Sequence, residues 1–473
     1  MKNNFRKTLL VALFLITSAT YAETIPANPK YIFLFIGDGM GLAHVTLTEG
    51  YLGSIYKNGN HIESMEFTKF PVVGLMRTFS KNKFITDSAA AGTAFATGNK
   101  TNFEVLSMDE FGSNKLISVA EIAKKNSMKV AMITTTNIDD ATPAVFYSHQ
   151  QNRKMYTQID EDMTKSNFDL FAGGGIKGDE KAKFNTLLKD NGYEHVSTRA
   201  AFLSLKGPKK IYIECPKLDA ESGCPYSIDQ DADDIKLSEV TNKAIDLLYN
   251  PKGFFMMIEG GKIDWAAHVN DAKTVIKDVV EFNNSIKEAL AFYKIHPKET
   301  LIIVTADHET GGLSLGARDT KYEISLDKLK SQQISASELS RVFYEYKLSK
   351  SNKVSIEDAV SILQKYLGLG SKEFGLSLNA TEMDRLKTSL KQSLSQNGAD
   401  AGKKGQDDPF IAEAIRILNS KSGIGWTTGS HTGTPVGIFA IGAQSSLFAK
   451  YLDNTDIAKN LIKMVSSKNK EVK

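Results

Sequence analysis

Cysteine is almost absent from this chain of 473 residues, which has only Cys215 and Cys224. Two thiolates are too few for a structural zinc site, so we expect no zinc at this pair. Both cysteines lie in one short stretch with proline and glycine. In an exported protein such a pair forms a local disulfide, and a pair of free thiols is the alternative.

An excess of charge of either sign is also lacking. The chain has 58 basic and 55 acidic residues, a formal net charge of +3. The lysines are spread over helix-like segments and the C-terminal tail, which is typical of a solvated surface. The composition therefore predicts no nucleic-acid-binding surface.

Long apolar runs are missing beyond the N-terminus. Lys2, Arg6 and Lys7 precede an apolar stretch at residues 9–16, and a small residue, Ala22, follows. This pattern predicts a signal peptide over residues 1–22, because the stretch is shorter than the roughly 20 residues of a membrane span. We expect export to the periplasm or the medium, with no membrane span after cleavage; a retained anchor is the alternative.

Strand-like apolar runs alternate with amphipathic stretches through most of the chain. The predicted strands are residues 31–36, 129–134, 168–171, 254–258, 301–304 and 436–441, and the predicted helices between them are residues 118–126, 238–249 and 271–293, with Ser238 as an N-cap. This alternation predicts an α/β fold with a mostly parallel central sheet and helices on both faces.

The pattern changes after about residue 319. Residues 335–346, 355–367, 381–394 and 408–418 all have the spacing of charged amphipathic helices. We therefore divide the chain into a signal peptide (1–22), the first part of the α/β domain (23–318), a helical insertion before the last strand (319–421) and the C-terminal part of the domain (422–473).

Acidic and histidine side chains follow three of the apolar runs. Asp38 follows residues 31–36, Asp307 and His308 follow residues 301–304, and Glu259 begins the segment that contains Asp264 and His268. Ligands bind at the carboxyl ends of parallel strands, so these groups should converge. Carboxylates with imidazoles and no thiol suit zinc and magnesium.

Ser88 begins a run of small residues next to Asp87. A helix that starts here would offer backbone N–H groups to a phosphate or a phosphoserine. Taken alone, the run fits a capped and buried helix of small residues better.

Three further segments carry polar groups that, taken singly, also have a purely structural interpretation. Asp140 and Thr142 fit a turn or a helix start, Arg153 fits a surface arginine that could clamp phosphate, and His431 fits a polar loop. Asp264 and His268 lie on one helix face, so His431 could complete a three-ligand zinc site with them.

Together, in order and spacing, these segments resemble the alkaline phosphatase family from about residue 31 to residue 442, apart from the helical block. The motifs are Asp38-Gly-Met-Gly, Asp87-Ser88-Ala-Ala, Asp140-Ala-Thr142-Pro with Arg153 following, Glu259-Gly with Asp264 and His268, Thr-Ala-Asp307-His308, and His431-Thr-Gly.

The resemblance implies a phosphomonoesterase with two zinc ions and one magnesium ion, usually a homodimer, that acts on small phosphate monoesters through phosphoserine. It assigns Ser88 as the nucleophile, Arg153 as the phosphate clamp and Asp87 as the carboxylate that orients Arg153. The implied metal ligands are Asp264, His268 and His431 for one zinc, Asp38, Asp307 and His308 for the other, and Asp38, Thr142 and Glu259 for magnesium, with Asp140 and Trp265 around them.

Two positions depart from familiar members. Trp265 stands where relatives carry Lys or His, so we expect this side of the site to lack a neighbouring positive charge. Thr310 replaces a third histidine that is thought to support the metal ligands.

Two rival functions share much of this pattern. A phosphodiesterase or nucleotide pyrophosphatase of the same superfamily would commonly have a threonine nucleophile and no magnesium ligands. Ser88, Arg153 and the trio Asp38, Thr142 and Glu259 argue against it. A non-catalytic phosphate- or metal-binding protein would be expected to lack a ligand or the nucleophile, and none is missing.

Overall fold

The structure is a computed structural model that describes residues 28–57, 61–207, 209–317, 320–395 and 408–466. The predicted signal peptide lies outside the described residues. Within those ranges no helix combines the length and the apolar character needed to cross a bilayer.

The described residues form a sheet of ten strands and two pairs of two-residue strands. The order in the large sheet is β14-β2-β13-β8-β1-β7-β3-β4-β6-β5. The strands are β1 (Tyr31–Ile36), β2 (Val72–Arg77), β3 (Lys129–Ile133), β4 (Leu170–Gly173), β5 (Tyr193–Val196), β6 (Lys210–Glu214), β7 (Phe254–Glu259), β8 (Thr300–Thr305), β9 (Glu309–Thr310), β10 (Ser314–Leu315), β11 (Ile424–Gly425), β12 (His431–Thr432), β13 (Val436–Gly442) and β14 (Tyr451–Asp453).

Helices cover both faces of this sheet. They are α1 (Leu42–Lys57), α2 (Ser88–Thr97), α3 (Val119–Lys125), α4 (Ala141–Ala144), α5 (Tyr156–Lys165), α6 (Lys181–Asp190), α7 (Arg199–Ser204), α8 (Leu237–Leu248), α9 (Lys262–His268), α10 (Ala272–Ile295), α11 (Ala336–Ser349), α12 (Ile356–Leu367), α13 (Ala380–Ser395), α14 (Pro409–Ser422) and α15 (Thr455–Ser466). The predicted α/β fold with a mostly parallel sheet is confirmed.

The centre of the sheet is β1, which pairs in parallel with β7 on one side and β8 on the other. Every residue of these three strands is buried. A strand with helices over both faces has no solvent side, which explains why these segments are continuous apolar runs rather than alternating ones. β13 runs antiparallel to both β8 and β2.

A second hydrophobic core lies between the helical block and two helices of the α/β part. Leucine, isoleucine and phenylalanine side chains from α11 to α14 and residues of α1 and α10 form this cluster, which is separate from the core around the sheet. Trp426 packs against both clusters. The helix starts predicted at Ser355 and Asp408 are confirmed, since each side chain caps its helix.

Two local predictions have different outcomes. Cys215 and Cys224 are bonded, with their Cα atoms 5.6 Å apart, so the predicted disulfide is present. The N-cap predicted at Ser238 is wrong, because the helix begins at Leu237 and the cap position is Lys236. Ser238 instead donates its hydroxyl hydrogen to Glu281 of the neighbouring α10.

Candidate metal centre and nucleophile

The carboxyl ends of the three central strands bring their acidic residues to one edge of the sheet. Ile36 at the end of β1 lies opposite Glu259 in β7 and Thr305 in β8. Asp38 and Asp307 each follow two residues after these paired positions. The parallel register, which the apolar runs enforce, therefore sets the spacing of the site.

One cluster consists of Asp38, Asp307 and His308, whose ligand atoms all lie within 4.8 Å of one another. His308 Nε2 is 3.1 Å from Asp307 Oδ2 and 3.5 Å from Asp38 Oδ1. The backbone N–H of Gly39 donates to Asp307 Oδ1 at 3.1 Å and fixes that carboxylate. All three side chains are buried, so the cluster offers two carboxylates and one imidazole in a dry setting.

A second cluster adjoins the first through His308, which also lies within 4.8 Å of ligand atoms of Asp264 and His431. His268 Nε2 is 3.3 Å from Asp264 Oδ2 and 3.2 Å from His431 Nε2. Asp264 and His268 both belong to α9, one turn apart, as their spacing predicts. The structure thus brings together every residue that the resemblance assigns to zinc.

Backbone carbonyls set the orientation of two imidazoles. His268 Nδ1 is 2.7 Å from the carbonyl oxygen of Gly429, and His431 Nδ1 is 2.9 Å from that of Thr86. Because a carbonyl only accepts, each Nδ1 carries the proton and each Nε2 directs a lone pair into the cluster. Lone pairs that converge beside a carboxylate suit a bound cation.

The protonation state of His431 agrees with this role. Burial and the neighbouring His308 lower the pKa of His431 to about 3. The ring of His431 stacks on that of His308 with centroids 3.6 Å apart. His431 is therefore neutral over the physiological range, which is the form that binds metals.

A third group adjoins Asp38 through Glu259. Burial raises the pKa of Glu259 to about 8, and the negative charge of Asp140 adds to this effect. Hydrogen bonds with Thr134 and Asp38 lower the pKa but do not outweigh burial. Thr142 is buried, and its hydroxyl has no hydrogen-bond partner among the described residues. Oxygen ligands of this kind fit magnesium, whose charge would favour the ionised form of Glu259.

Ser88 is the first residue of α2 and lies beside the metal clusters. Its Oγ is 3.3 Å from His308 Nε2. Asp87 caps the helix by accepting from the backbone N–H of Ala90 at 3.1 Å. The whole of α2 is buried, which its small side chains allow. The run is therefore a buried capped helix whose first residue lies next to His308.

Arg153 lies between two carboxylates. Its Nη1 is 3.4 Å from Asp87 Oδ2, and its Nη2 is 2.9 Å from Asp140 Oδ1. Burial opposes ionisation, but Asp140 and Asp87 outweigh it and raise the pKa of Arg153. The guanidinium is thus charged and held with a fixed orientation.

The positive charge expected to be missing near Trp265 is supplied by other residues, so that expectation is wrong. Lys262 Nζ lies 4.3 Å from the centroid of a Trp265 ring, and Lys177 Nζ lies 5.8 Å away. Burial lowers the pKa of Lys177, but the charge of Asp140 and the ion pair with Glu221 outweigh it, so the net shift is upward. Lys177 therefore places a positive charge beside Asp140 from a different loop.

Thr310 has a role that its sequence position did not reveal. Its hydroxyl donates to Asp264 Oδ1 at 2.6 Å and lies 3.3 Å from His308 Nδ1. It therefore connects a carboxylate of one cluster to an imidazole of the other. The sequence comparison registers only that a histidine is absent here.

Thr134 and Lys177 were not predicted as part of the site. Thr134 comes directly after β3 and donates to Glu259, so the rule that strand ends carry site residues could have found it. Lys177 follows the glycine run after β4, a similar signal.

Comparison with known proteins agrees with this geometry. The family model described as "Alkaline phosphatase" matches residues 29–467. Alkaline phosphatase 3 of Bacillus subtilis is 33% identical over 445 residues, which is 92% of this chain and 88% of the relative. Alkaline phosphatase 4 of the same organism is 31% identical over 454 residues, 93% of this chain and 90% of the relative.

Solved structures show the same similarity. A cold-active alkaline phosphatase from a psychrophilic Shewanella has a TM-score of 0.77 and 30% identity, and the match covers 92% of this chain and 99% of that one. A variant of the alkaline phosphatase from the Antarctic bacterium TAB5, solved with magnesium bound, has a TM-score of 0.63 and 26% identity, covering 93% and 99%. The chain belongs to the alkaline phosphatase family and is a phosphomonoesterase.

Proposed function

We propose that this enzyme hydrolyses phosphate monoesters to an alcohol and inorganic phosphate through a phosphoserine on Ser88, at a site for two zinc ions and one magnesium ion. The observation that carries the proposal is the 3.3 Å distance between Ser88 Oγ and His308 Nε2. It supports the proposal because the hydroxyl lies next to a histidine shared by two groups of side chains that could hold a metal ion.

The residue assignments are those that the family resemblance implies, and the contacts support them. Asp38, Asp307 and His308 would hold the zinc next to Ser88, and Asp264, His268 and His431 would hold the second zinc. Asp38, Thr142 and Glu259 would hold magnesium, with Asp140 around it. Bound there, these ions would neutralise the phosphate dianion and stabilise the attacking and leaving oxygens.

The reaction needs two displacements at phosphorus. Ser88 Oγ loses its proton to solvent and attacks phosphorus, and the bond to the alcohol oxygen breaks as the Oγ–P bond forms. The alcohol leaves with a proton from water. A water molecule then attacks the phosphoserine, breaks the Oγ–P bond and restores Ser88 with release of phosphate.

Arg153 and α2 position the phosphoryl group. The guanidinium fork presents two parallel N–H donors to non-bridging oxygens, and Asp87 and Asp140 prevent it from rotating away. The first turn of α2 adds backbone N–H groups and a partial positive charge. These contacts hold phosphorus in line with Ser88 Oγ.

We also propose that the protein is exported and acts as a homodimer. The N-terminal pattern and the disulfide support export, because disulfides persist in oxidising compartments. The dimer is inferred from the family alone.

One assay tests the main proposal. The enzyme should hydrolyse 4-nitrophenyl phosphate far faster than bis(4-nitrophenyl) phosphate, with zinc and magnesium measured on the same sample. Labelled phosphate trapped at acid pH should map to Ser88. Preference for the diester would favour a phosphodiesterase, and label on another residue would refute the assignment of Ser88.

A further inference from the structure

A cleft of about 420 Å³ opens directly beside the proposed metal centre. His268 forms one end of it, and Ile415, Arg416 and Asn419 of α14 form a wall with Trp426. The volume lies within the range of small-molecule sites, about 300 to 1,000 Å³. The cleft therefore joins a proposed zinc ligand to the last helix of the helical block.

The cleft meets the site at His268, which belongs to the residues proposed for the second zinc and not to those next to the nucleophile. Ser88 Oγ lies 3.3 Å from His308 Nε2, whereas His268 Nε2 lies 3.2 Å from His431 Nε2. In a two-metal site one ion stabilises the attacking oxygen and the other the leaving oxygen, so the alcohol part of a substrate would lie on the His268 side, next to the cleft.

The walls of the cleft are in contact with the segments that follow two of the proposed zinc ligands, His268 and His308. Asn419 Nδ2 donates to the carbonyl oxygen of Asn270, two residues after His268, at 2.7 Å. Trp426 packs so closely on the backbone of Gly311 that a Cβ there would lie 2.4 Å from its ring. These contacts hold α14 in a defined position relative to the metal ligands.

The cleft is lined by both apolar and charged side chains. Ile415 and Trp426 give it an apolar wall, and the side chain of Arg416 is 66% exposed. Arg416 shares the carboxylate of Glu413 with Arg385, whose Nε is 2.9 Å from Glu413 Oε1. Two guanidinium groups face one carboxylate, which leaves a net positive charge to attract an anion.

We infer that this cleft binds the alcohol part of the phosphate monoester, and that it favours alcohols with a planar or apolar portion followed by a second anionic group. The inference rests on the proposed function, because it uses the position of Ser88 as nucleophile. It gives the helical block a role in substrate selection: α14 supplies the apolar wall and Arg416 the charge.

Two substrates separate these contributions. Phenyl phosphate probes the apolar wall, and 4-carboxyphenyl phosphate adds an anionic group. Arg416→Gln should lower the ratio of kcat/KM for the carboxyphenyl to the phenyl ester by about threefold to fivefold, the range of an exposed charge pair. Ala412→Trp, which fills the cleft, should lower kcat/KM for both esters at least about tenfold and leave the inhibition constant of inorganic phosphate unchanged.

Arg385→Gln is the matched control. Arg385 pairs with the same Glu413 but does not line the cleft. A role of Arg416 that acts only through Glu413 would therefore appear equally in both variants, whereas a direct role in binding appears in Arg416→Gln alone.

The outcomes are distinct. An unchanged ester ratio in Arg416→Gln, an equal change in Arg385→Gln, or a weaker phosphate inhibition in Ala412→Trp would each overturn the inference. If the unaltered enzyme hydrolysed neither ester, the proposed function itself would be wrong and the inference would fall with it.

Discussion

The hydroxyl of Thr310 connects the two proposed zinc sites, and its removal should weaken them. Valine has nearly the same shape as threonine but cannot donate to Asp264 Oδ1, which accepts from Thr310 at 2.6 Å. Both side chains are fully buried, so water cannot replace the lost donor without repacking. We therefore expect Thr310→Val to fold normally and to bind zinc less tightly.

The size of the effect follows from the bond that is lost. A hydrogen bond to a charged group contributes about 1.5–3 kcal/mol, and each 1.4 kcal/mol changes an equilibrium constant tenfold. The expected loss of zinc affinity is therefore about tenfold to a hundredfold. This agrees with the range of about 10–100-fold for groups that orient metal ligands.

The measurement is zinc content after dialysis against a graded series of chelator concentrations. Thr310→Val should lose its zinc at a chelator concentration about ten to a hundred times lower than the unaltered enzyme. Thr310→Ser, which keeps the hydroxyl, is the control and should stay close to the unaltered enzyme. Equal retention by the valine variant and the unaltered enzyme would show that this hydrogen bond does not hold Asp264 in place.

Three other predictions address the nucleophile, the metals and the stability. Ser88→Ala should keep its metal content, which elemental analysis checks, and lose the acid-trapped phosphoenzyme and most of its turnover. Chelation should abolish hydrolysis and lower the Tm, because the carboxylates of the site then repel one another, and zinc with magnesium should restore both; full activity in verified metal-free protein would contradict this. Burial and the neighbouring Asp139 raise the pKa of Asp160 to about 9. Because this pKa is raised above the unfolded value, Asp160 contributes favourably to the free energy of unfolding at low pH, and this contribution is lost as the pH rises towards about 9. The Tm of Asp160→Asn minus the Tm of the unaltered enzyme should therefore increase steadily between about pH 4 and pH 9. A constant difference across that range would contradict the raised pKa.

The sequence predicts the centre of the fold better than its edges. β1, β7 and β8 are recognisable because helices cover both faces and every position is buried, and all but Glu259, Thr300 and Thr305 are apolar. β2 and β5 were not predicted, because their exposed positions interrupt the apolar pattern. Their places in the sheet depend on contacts with distant strands, which no local pattern records.

The site residues also differ in how far local sequence predicts their contacts. Asp264 and His268 share a helix and a spacing, so their proximity follows from local geometry. The contact of His431 with both of them depends on the loop that brings β12 back to β9, 163 residues after His268. From the residues alone His431 could be named only as a third ligand that would complete the site, because a lone loop histidine carries no positional information, and the family resemblance assigned it there.

Trp265 and Lys177 show what is lost when a site is inferred one position at a time. Trp265 follows Asp264, so a comparison by position registers that a cationic residue has been replaced by an aromatic one. In the fold, the tryptophan ring is buried against Gly223, and Lys177 reaches the same region from the loop after β4. Burial lowers the pKa of Lys177, but the charge of Asp140, which holds Arg153, raises it together with Glu221. A positive charge can therefore be kept at a site while its source moves to another loop, because electrostatic interactions depend on distance in space and not on position in the sequence.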